Sequence, residues 1–224
     1  MEFGEVCEVG EIAEKIAEIM ERKINDREPP DRIWLTDTVY CGRKKIFEMS
    51  GLKRRFSGKA VSRIWLGIIV GEALKELGIA GEVPVEYRGV RGKVDVILET
   101  GEPVEVKVAT NLYVTASEYS KSHVEQLSRY CLALNKETGI LLYYIAGLEV
   151  ESLPVRRYRF NLDQVKRVTD ERIDALSRAV EAKDPFTLPA TWHSNNLSNW
   201  ECRDCSYLAY CRVGRWQSLS TYCI

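Results

Sequence analysis

The stretch GKVDVILETGEPVEVKV, residues 92–108, sets Asp95, Glu105 and Lys107 inside runs of Val, Ile and Leu that alternate as strands do. Glu99-Thr100-Gly101 lies between the runs. A three-residue hairpin loop places a left-handed residue third, most often Gly. With 99–101 as the loop, Leu98 pairs with Glu102 and Asp95 falls opposite Glu105. Opposed residues share a sheet face with Cβ atoms about 5 Å apart, and Lys107, two residues beyond Glu105, joins them. Two carboxylates and one ammonium thus meet on one patch. A solvated strand face with a simple salt bridge would show the same alternation. Opposed like charges nevertheless destabilise a hairpin unless a cation lies between them, and hard carboxylate oxygens suit magnesium or manganese.

The surroundings are those of an ordinary globular chain. Its 224 residues, 45% hydrophobic and 29% charged, suffice for one domain, or for one domain with a small appendage. A net charge of −1 excludes coating of nucleic acid by bulk charge but leaves room for a local basic patch. The start, MEFGEVCEVGEIAEKIAEIMERK, is acidic and amphipathic and lacks the features of a signal peptide. No run reaches the roughly 18 apolar residues of a membrane span. The expectation is a cytoplasmic protein without membrane contact, its thiols reduced.

Residues 10–24 repeat apolar side chains at helical spacing, which predicts a buried stripe of Ile12, Ile16, Ile19 and Met20. Pro29 and Pro30 end that pattern. A helix is expected from Thr36 or Asp37 to about Met49, then a basic loop over 51–60 and an apolar helix over 61–77. From residue 82 the period becomes two: PVEYRG, RGKVDVIL, GEPVEVKVAT, GILLYYIA and VRRYRFNL read as strands. Helices are expected in SEYSKSHVEQLSRYCLALN and NLDQVKRVTDERIDALSRAVEAK. The order predicts an α/β fold, a mixed sheet covered by helices. Beyond Pro185 the pattern dissolves, so the chain divides into a domain over 1–185 and a cysteine-rich C-terminal region over 186–224.

That region contains ECRDCSYLAYC, where Cys202, Cys205 and Cys211 form a C-x2-C-x5-C cluster. Seven cysteines in a reducing compartment point to metal binding or core thiols rather than disulfides. A tetrathiolate site needs one more ligand, for which Cys41 in VYCGRKK is favoured. Spacing leaves zinc and an iron–sulfur cluster both open. Cys131, among apolar neighbours in a helix, reads as a buried thiol, and Cys7 and Cys223 lie near the termini.

Taken together, G-x-V-D followed by E-V-K resembles the D…(D/E)-x-K core of the RecB-like nucleases, in the PD-(D/E)XK superfamily. The resemblance implies a restriction-endonuclease-like mixed sheet flanked by helices. Asp95 and Glu105 would then be metal ligands with the Val106 carbonyl, and Lys107 the catalytic cation. The family's Q-x-x-x-Y helix motif is matched by Gln126 and Tyr130, whose spacing of four puts them on one helix face. One cysteine upstream, in Tyr40-Cys41-Gly42-Arg43, and three downstream are similar to the CRISPR-associated Cas-four exonucleases. Over residues 34 to 212, that family implies a 4Fe-4S or 2Fe-2S cluster on Cys41, Cys202, Cys205 and Cys211 and a Mg²⁺ or Mn²⁺ site. It also implies 5′-to-3′ exonuclease action on single-stranded DNA in CRISPR adaptation, with integrase proteins as partners.

One family element departs. The motif histidine of G-x-x-x-H-E corresponds to Gly71 in GIIVGE, and the two histidines, His123 and His193, are read as a helix-surface residue and a loop residue. The departure keeps a second reading open, a DNA-binding subunit with weak or no nuclease activity. A zinc-bound adaptor is a third. Eight Lys or Arg between Arg43 and Arg63 stand against one acid, Glu48. Arg43, Lys44, Lys53, Arg54 and Arg55 are accordingly expected to guide DNA, with Phe56 and Tyr113 available to stack bases.

Overall fold

The computed structural model describes residues 14–16, 18–20, 22, 31–52, 58–76, 81–109, 112–115, 118–193, 200–203 and 205–213. Six strands are described: β1 (Val83–Tyr87), β2 (Val90–Val94), β3 (Val96–Ile97), β4 (Pro103–Ala109), β5 (Thr138–Ile145) and β6 (Val155–Arg159). The helices are α1 (Gly42–Met49), α2 (Gly58–Glu76), α3 (Glu118–Ala133), α4 (Leu162–Ala182), and the short α5 (Trp200–Arg203) and α6 (Leu208–Val213).

The hairpin forms in the expected register. Val96 pairs with Val104 and Ile97 with Pro103, and the Leu98 amide donates to the Glu102 carbonyl at 3.0 Å. Gly101 takes φ +78°, the left-handed geometry that the loop demands. One expected strand, RGKVDVIL, is in fact two. It bends at Asp95: β2 pairs with β1 in a two-stranded sheet, whereas β3 pairs with β4 in a sheet of order β3-β4-β5-β6. The Asp95 carbonyl leaves the ladder and accepts from the Gly81 amide at 3.1 Å. Alternation is unbroken across this bend, so the periodicity did not reveal it.

The four-stranded sheet is mixed, because β4 and β5 run parallel and the other pairs antiparallel. A parallel pair needs a crossover, and α3 supplies it. Leu127 and Cys131 of α3 pack on Leu141, Tyr143 and Ile145 of β5. Full burial of a leucine such as Leu127 contributes about 1.5–3 kcal/mol. Residues of α2 face the other side of β4, at Val106 and Val108. The architecture is therefore a mixed α/β sheet flanked by helices. Along α4, capped by the Asn161 side chain at the Gln164 amide (3.0 Å), Thr169, Ile173, Leu176 and Ala179 form the buried stripe.

Two helical expectations need correction. The helix placed from Thr36 or Asp37 starts at Gly42, preceded by a 3₁₀ turn over Leu35–Thr38. Cys41 interrupts them with non-helical backbone, its amide accepted by the Glu201 carboxylate at 3.0 Å instead of by a helical carbonyl. Within the described part of 14–22 the chain is helical, yet Ile16 and Ile19 are exposed rather than buried. Ile12, Cys7, Lys53, Arg54, Arg55, Phe56 and Cys223 lie outside the described residues. No helix among the described residues is long and apolar enough to cross a membrane.

The C-terminal segment packs closely on α1. Tyr207 stacks on Phe47 with centroids 5.3 Å apart and donates to the Leu52 carbonyl, while the Trp192 indole donates to the Asp37 carbonyl.

Two glycines make opposite stability predictions. A Cβ on buried Gly92 would meet Leu35 and Tyr130 at 3.0 Å, so Gly92→Ala should lower stability by about 1–3 kcal/mol. A Cβ on Gly71, inside α2, would meet nothing within 4 Å, so Gly71→Ala should raise stability by about 0.5–1 kcal/mol. Urea unfolding of the two variants checks both signs.

Candidate active site

One side-chain amide organises the site. Gln126 of α3, only 7% exposed, uses its full hydrogen-bonding capacity. Its Oε1 accepts from Lys107 Nζ at 2.9 Å and from the Tyr40 hydroxyl at 3.2 Å. Its Nε2 donates to Glu105 Oε1 at 2.8 Å and to the Tyr130 hydroxyl at 3.0 Å. Because an ammonium can only donate, Lys107 fixes which end of the amide faces which neighbour. Glu105 and Lys107, on one face of β4, also pair directly at 2.6 Å. The structure thus brings Glu105, Lys107, Gln126 and Tyr130 into one knot.

Asp95 stands at its edge. Its Oδ2 accepts the Val106 amide at 2.7 Å, which ties the bend between β2 and β3 to β4. Asp95 and Val106 also line a cavity of about 370 Å³ whose wall includes Gly71, Glu72, Glu82 and Val108. The position matching the motif histidine therefore borders Asp95 across open space.

The charges here are strongly perturbed. Burial raises the pKa of Glu105, with the attraction of Lys107 opposing and the nearby Asp95 adding to the rise. Burial disfavours the charge on Lys107, but the attraction of Glu105 outweighs it and holds the ammonium above its ordinary range. Asp95 is raised by burial, against the Val106 amide and Lys107. Glu105 is 2% exposed; its Oε1 is doubly engaged, whereas Oε2 is buried without a hydrogen-bond partner. A buried carboxylate oxygen left unpaired is costly, and a divalent cation is a group that would satisfy it. The donor set of Asp95 and Glu105 fits such an ion.

Three neighbours were not legible beforehand as part of the site. Tyr40 reaches Gln126 across 86 residues of chain. Glu82, with φ +45°, borders the same cavity as Asp95 and pairs with Lys93 at 3.0 Å. His123, expected on the helix surface, faces the sheet instead: its Nδ1 lies 3.1 Å from the Tyr143 hydroxyl. Its spacing of three from Gln126 was the available signal, since such residues share a helix face. His193 lies elsewhere, 3.6 Å from Glu125.

The four motif cysteines act on one another electrostatically. The thiols of Cys205 and Cys211 influence those of both Cys41 and Cys202. Burial pushes Cys41 up to about 12 and Cys202 to about 11. The Cys41 thiol donates to the Ala190 carbonyl at 3.0 Å. Among the described residues no three His, Cys, Asp or Glu side chains converge closely enough to hold a metal ion. Thiolate is the ligand type that a thiophilic group takes, so the four residues fit such a group by chemistry.

The basic segment is less open than its composition implied. Arg43 spends its Nε on the Leu188 carbonyl at 2.9 Å and lies over the Phe186 ring. Lys45 is 3% exposed and paired with Asp37. Lys44 is half-buried, within reach of Glu201. Tyr113, just beyond β4, is 78% exposed.

Known proteins match this fold, not this sequence. The sequence matches no protein-family model and no curated protein. The crystal structure of SSO0001 superposes with a TM-score of 0.55 over 94% of this chain and 98% of that one, at 18% identity. A phage-related exonuclease from Haemophilus somnus 129PT gives 0.51 over 67% of this chain and 94% of that one, at 9% identity. The mixed sheet flanked by helices is thus similar to the fold of an exonuclease.

His123 yields a pH prediction. Burial, aided by Lys107, lowers its pKa to about 3 in the fold, against about 6.5 unfolded. The unfolded chain binds the extra proton between these values, so His123 supports the fold fully above about 6.5 and progressively less towards about 3. His123→Gln should flatten that part of the acid limb in thermal melts collected from pH 7 to pH 4.

Proposed function

We propose that this chain is a metal-dependent deoxyribonuclease of the RecB-like kind, an exonuclease acting 5′-to-3′ on single-stranded DNA. The observation that carries the reading is the unpaired, buried Oε2 of Glu105 beside a fixed Lys107 and a neighbouring Asp95. Asp95, Glu105 and the Val106 carbonyl would hold Mg²⁺ or Mn²⁺. Such an ion supplies charge stabilisation at a scissile phosphate and lowers the pKa of a bound water. Of the three N–H donors of Lys107, one goes to Glu105 and one to Gln126. The third is left for a water or a phosphate oxygen. Gln126 and Tyr130 keep Glu105 and Lys107 in register, and Tyr113 offers a stacking surface past the end of β4. Lys44, with Lys53, Arg54 and Arg55, would steer the strand by phosphate contacts.

The cysteine group belongs to the same reading. Cys41, Cys202, Cys205 and Cys211 would bind an iron–sulfur cluster, 4Fe-4S or 2Fe-2S, stapling the region 186–224 to α1. Joining residue 41 to residue 202 closes a long loop, which removes much unfolded-chain entropy. The biological setting we propose is trimming of DNA ends in CRISPR adaptation, in the cytoplasm, beside integrase proteins.

Gly71 favours a second reading, a DNA-binding subunit that keeps the fold and has little or no nuclease activity, since open space stands where the motif histidine would be. Cleavage of a 5′-labelled single-stranded oligonucleotide in Mn²⁺ separates the two. The wild type should shorten the strand and Lys107→Ala should slow it by at least about a hundredfold. Binding without cleavage by the wild type favours the subunit.

The purified protein should be brown and contain iron, and Cys202→Ala should lose the iron and melt at a lower temperature. A colourless protein carrying zinc overturns the cluster.

A further inference from the structure

Tyr40 belongs to two structures at once. Its hydroxyl donates to Gln126 Oε1, the oxygen that also receives the Lys107 ammonium. Its peptide bond leads directly to Cys41, whose amide is held by Glu201 Oε1 at 3.0 Å and whose thiol is held by the Ala190 carbonyl at 3.0 Å. Glu201 precedes Cys202, the first thiol of the C-terminal cluster. The path from the cysteine group to the carboxylate–lysine knot is therefore one residue long. The Tyr40 hydroxyl also feels the charges of Lys107, Glu105 and Glu201.

The geometry of that path has a physical consequence. Residue 41 has φ −51° and ψ 111°, between the 3₁₀ turn over Leu35–Thr38 and the start of α1. The Cys41 amide is held by the Glu201 carboxylate rather than by a helical carbonyl, whereas the Tyr40 amide donates to the Thr36 carbonyl at 3.2 Å. Loss of the Glu201 anchor frees the peptide that follows Tyr40, and a Tyr40 hydroxyl displaced with it leaves Gln126 Oε1 with Lys107 as its only donor among the described contacts. The amide can then rotate away from Glu105 and Tyr130.

We propose that Tyr40 is a positioning residue that couples the cysteine-rich C-terminal region to the nuclease site, by way of the Glu201–Cys41 anchor and the Gln126 amide. The proposal rests on the nuclease reading for its effect on rate. Its structural core is independent of that reading: the state of Gln126 follows the anchor at Cys41.

The test uses the full chain in three variants, with Gln126→Leu as a fourth for signal identification. Tyr40→Phe removes only the hydroxyl, Glu201→Ala removes the anchor, and Glu201→Gln keeps an accepting oxygen. The Gln126 side-chain NH₂ pair is followed in ¹⁵N–¹H spectra, identified by its absence in Gln126→Leu. It should shift in Tyr40→Phe and in Glu201→Ala and return towards its wild-type position in Glu201→Gln. With Mn²⁺ and single-stranded DNA, kcat should fall about tenfold in the first two variants with KM unchanged, and recover in the third. A Gln126 signal unmoved by Glu201→Ala overturns the coupling even if the enzyme is active. A signal that follows the anchor in a protein that never cleaves DNA supports the coupling and sinks the nuclease reading instead.

Discussion

The primary amide of Gln126 has four hydrogen-bonding places, and the fold fills all four. That saturation is the constraint on which the site depends. Lys107 and Glu105 come from β4, Tyr130 from the helix of Gln126 itself, and Tyr40 from a distant turn. A buried amide tolerates no missing partner without a cost of about 1–3 kcal/mol, so each of these elements must arrive at its place for the others to be stable. The same amide holds a carboxylate and an ammonium in contact, in surroundings where either charge alone would be expensive.

A second constraint lies in the bend at Asp95. It divides one continuous hydrophobic alternation between two sheets, carries the carboxylate out of the β3–β4 ladder, and anchors it on the Val106 amide. Asp95 thereby borders the open cavity, while Glu105 and Lys107 remain packed under α3. The two carboxylates still feel each other's charge. Asp95 alone of the two acids thus stands between the buried knot and the open cavity.

The most local signals were legible from residue order. Gly101 specified its loop because few other residues adopt φ +78° without strain, and the loop length then set the register as far as Val96 and Val104. The spacing of Gln126 and Tyr130 placed both on one helix face for equally local reasons. His123 shares that face by its spacing of three, yet its reading as a helix-surface residue is wrong, because spacing does not say which face is covered. Lys45 and Arg43 illustrate the limit, since a run of basic residues states charge but not which side chains are consumed inside the protein. The exposed Ile16 and Ile19 illustrate it from the opposite side, because periodicity identifies an apolar face without supplying a surface to bury it.

By itself the sequence determined the register of a hairpin, a helix offering an amide and a phenol on one face, and thiols at two ends of the chain. All follow from backbone geometry over a few residues. The tertiary structure alone decided that Tyr40 reaches Gln126 across 86 residues, that Glu201 holds Cys41 across 160, and that Glu105 keeps one oxygen unpaired. Those outcomes depend on which surfaces close against each other, and burial and hydrogen-bond completion over long loops are not encoded in any local spacing.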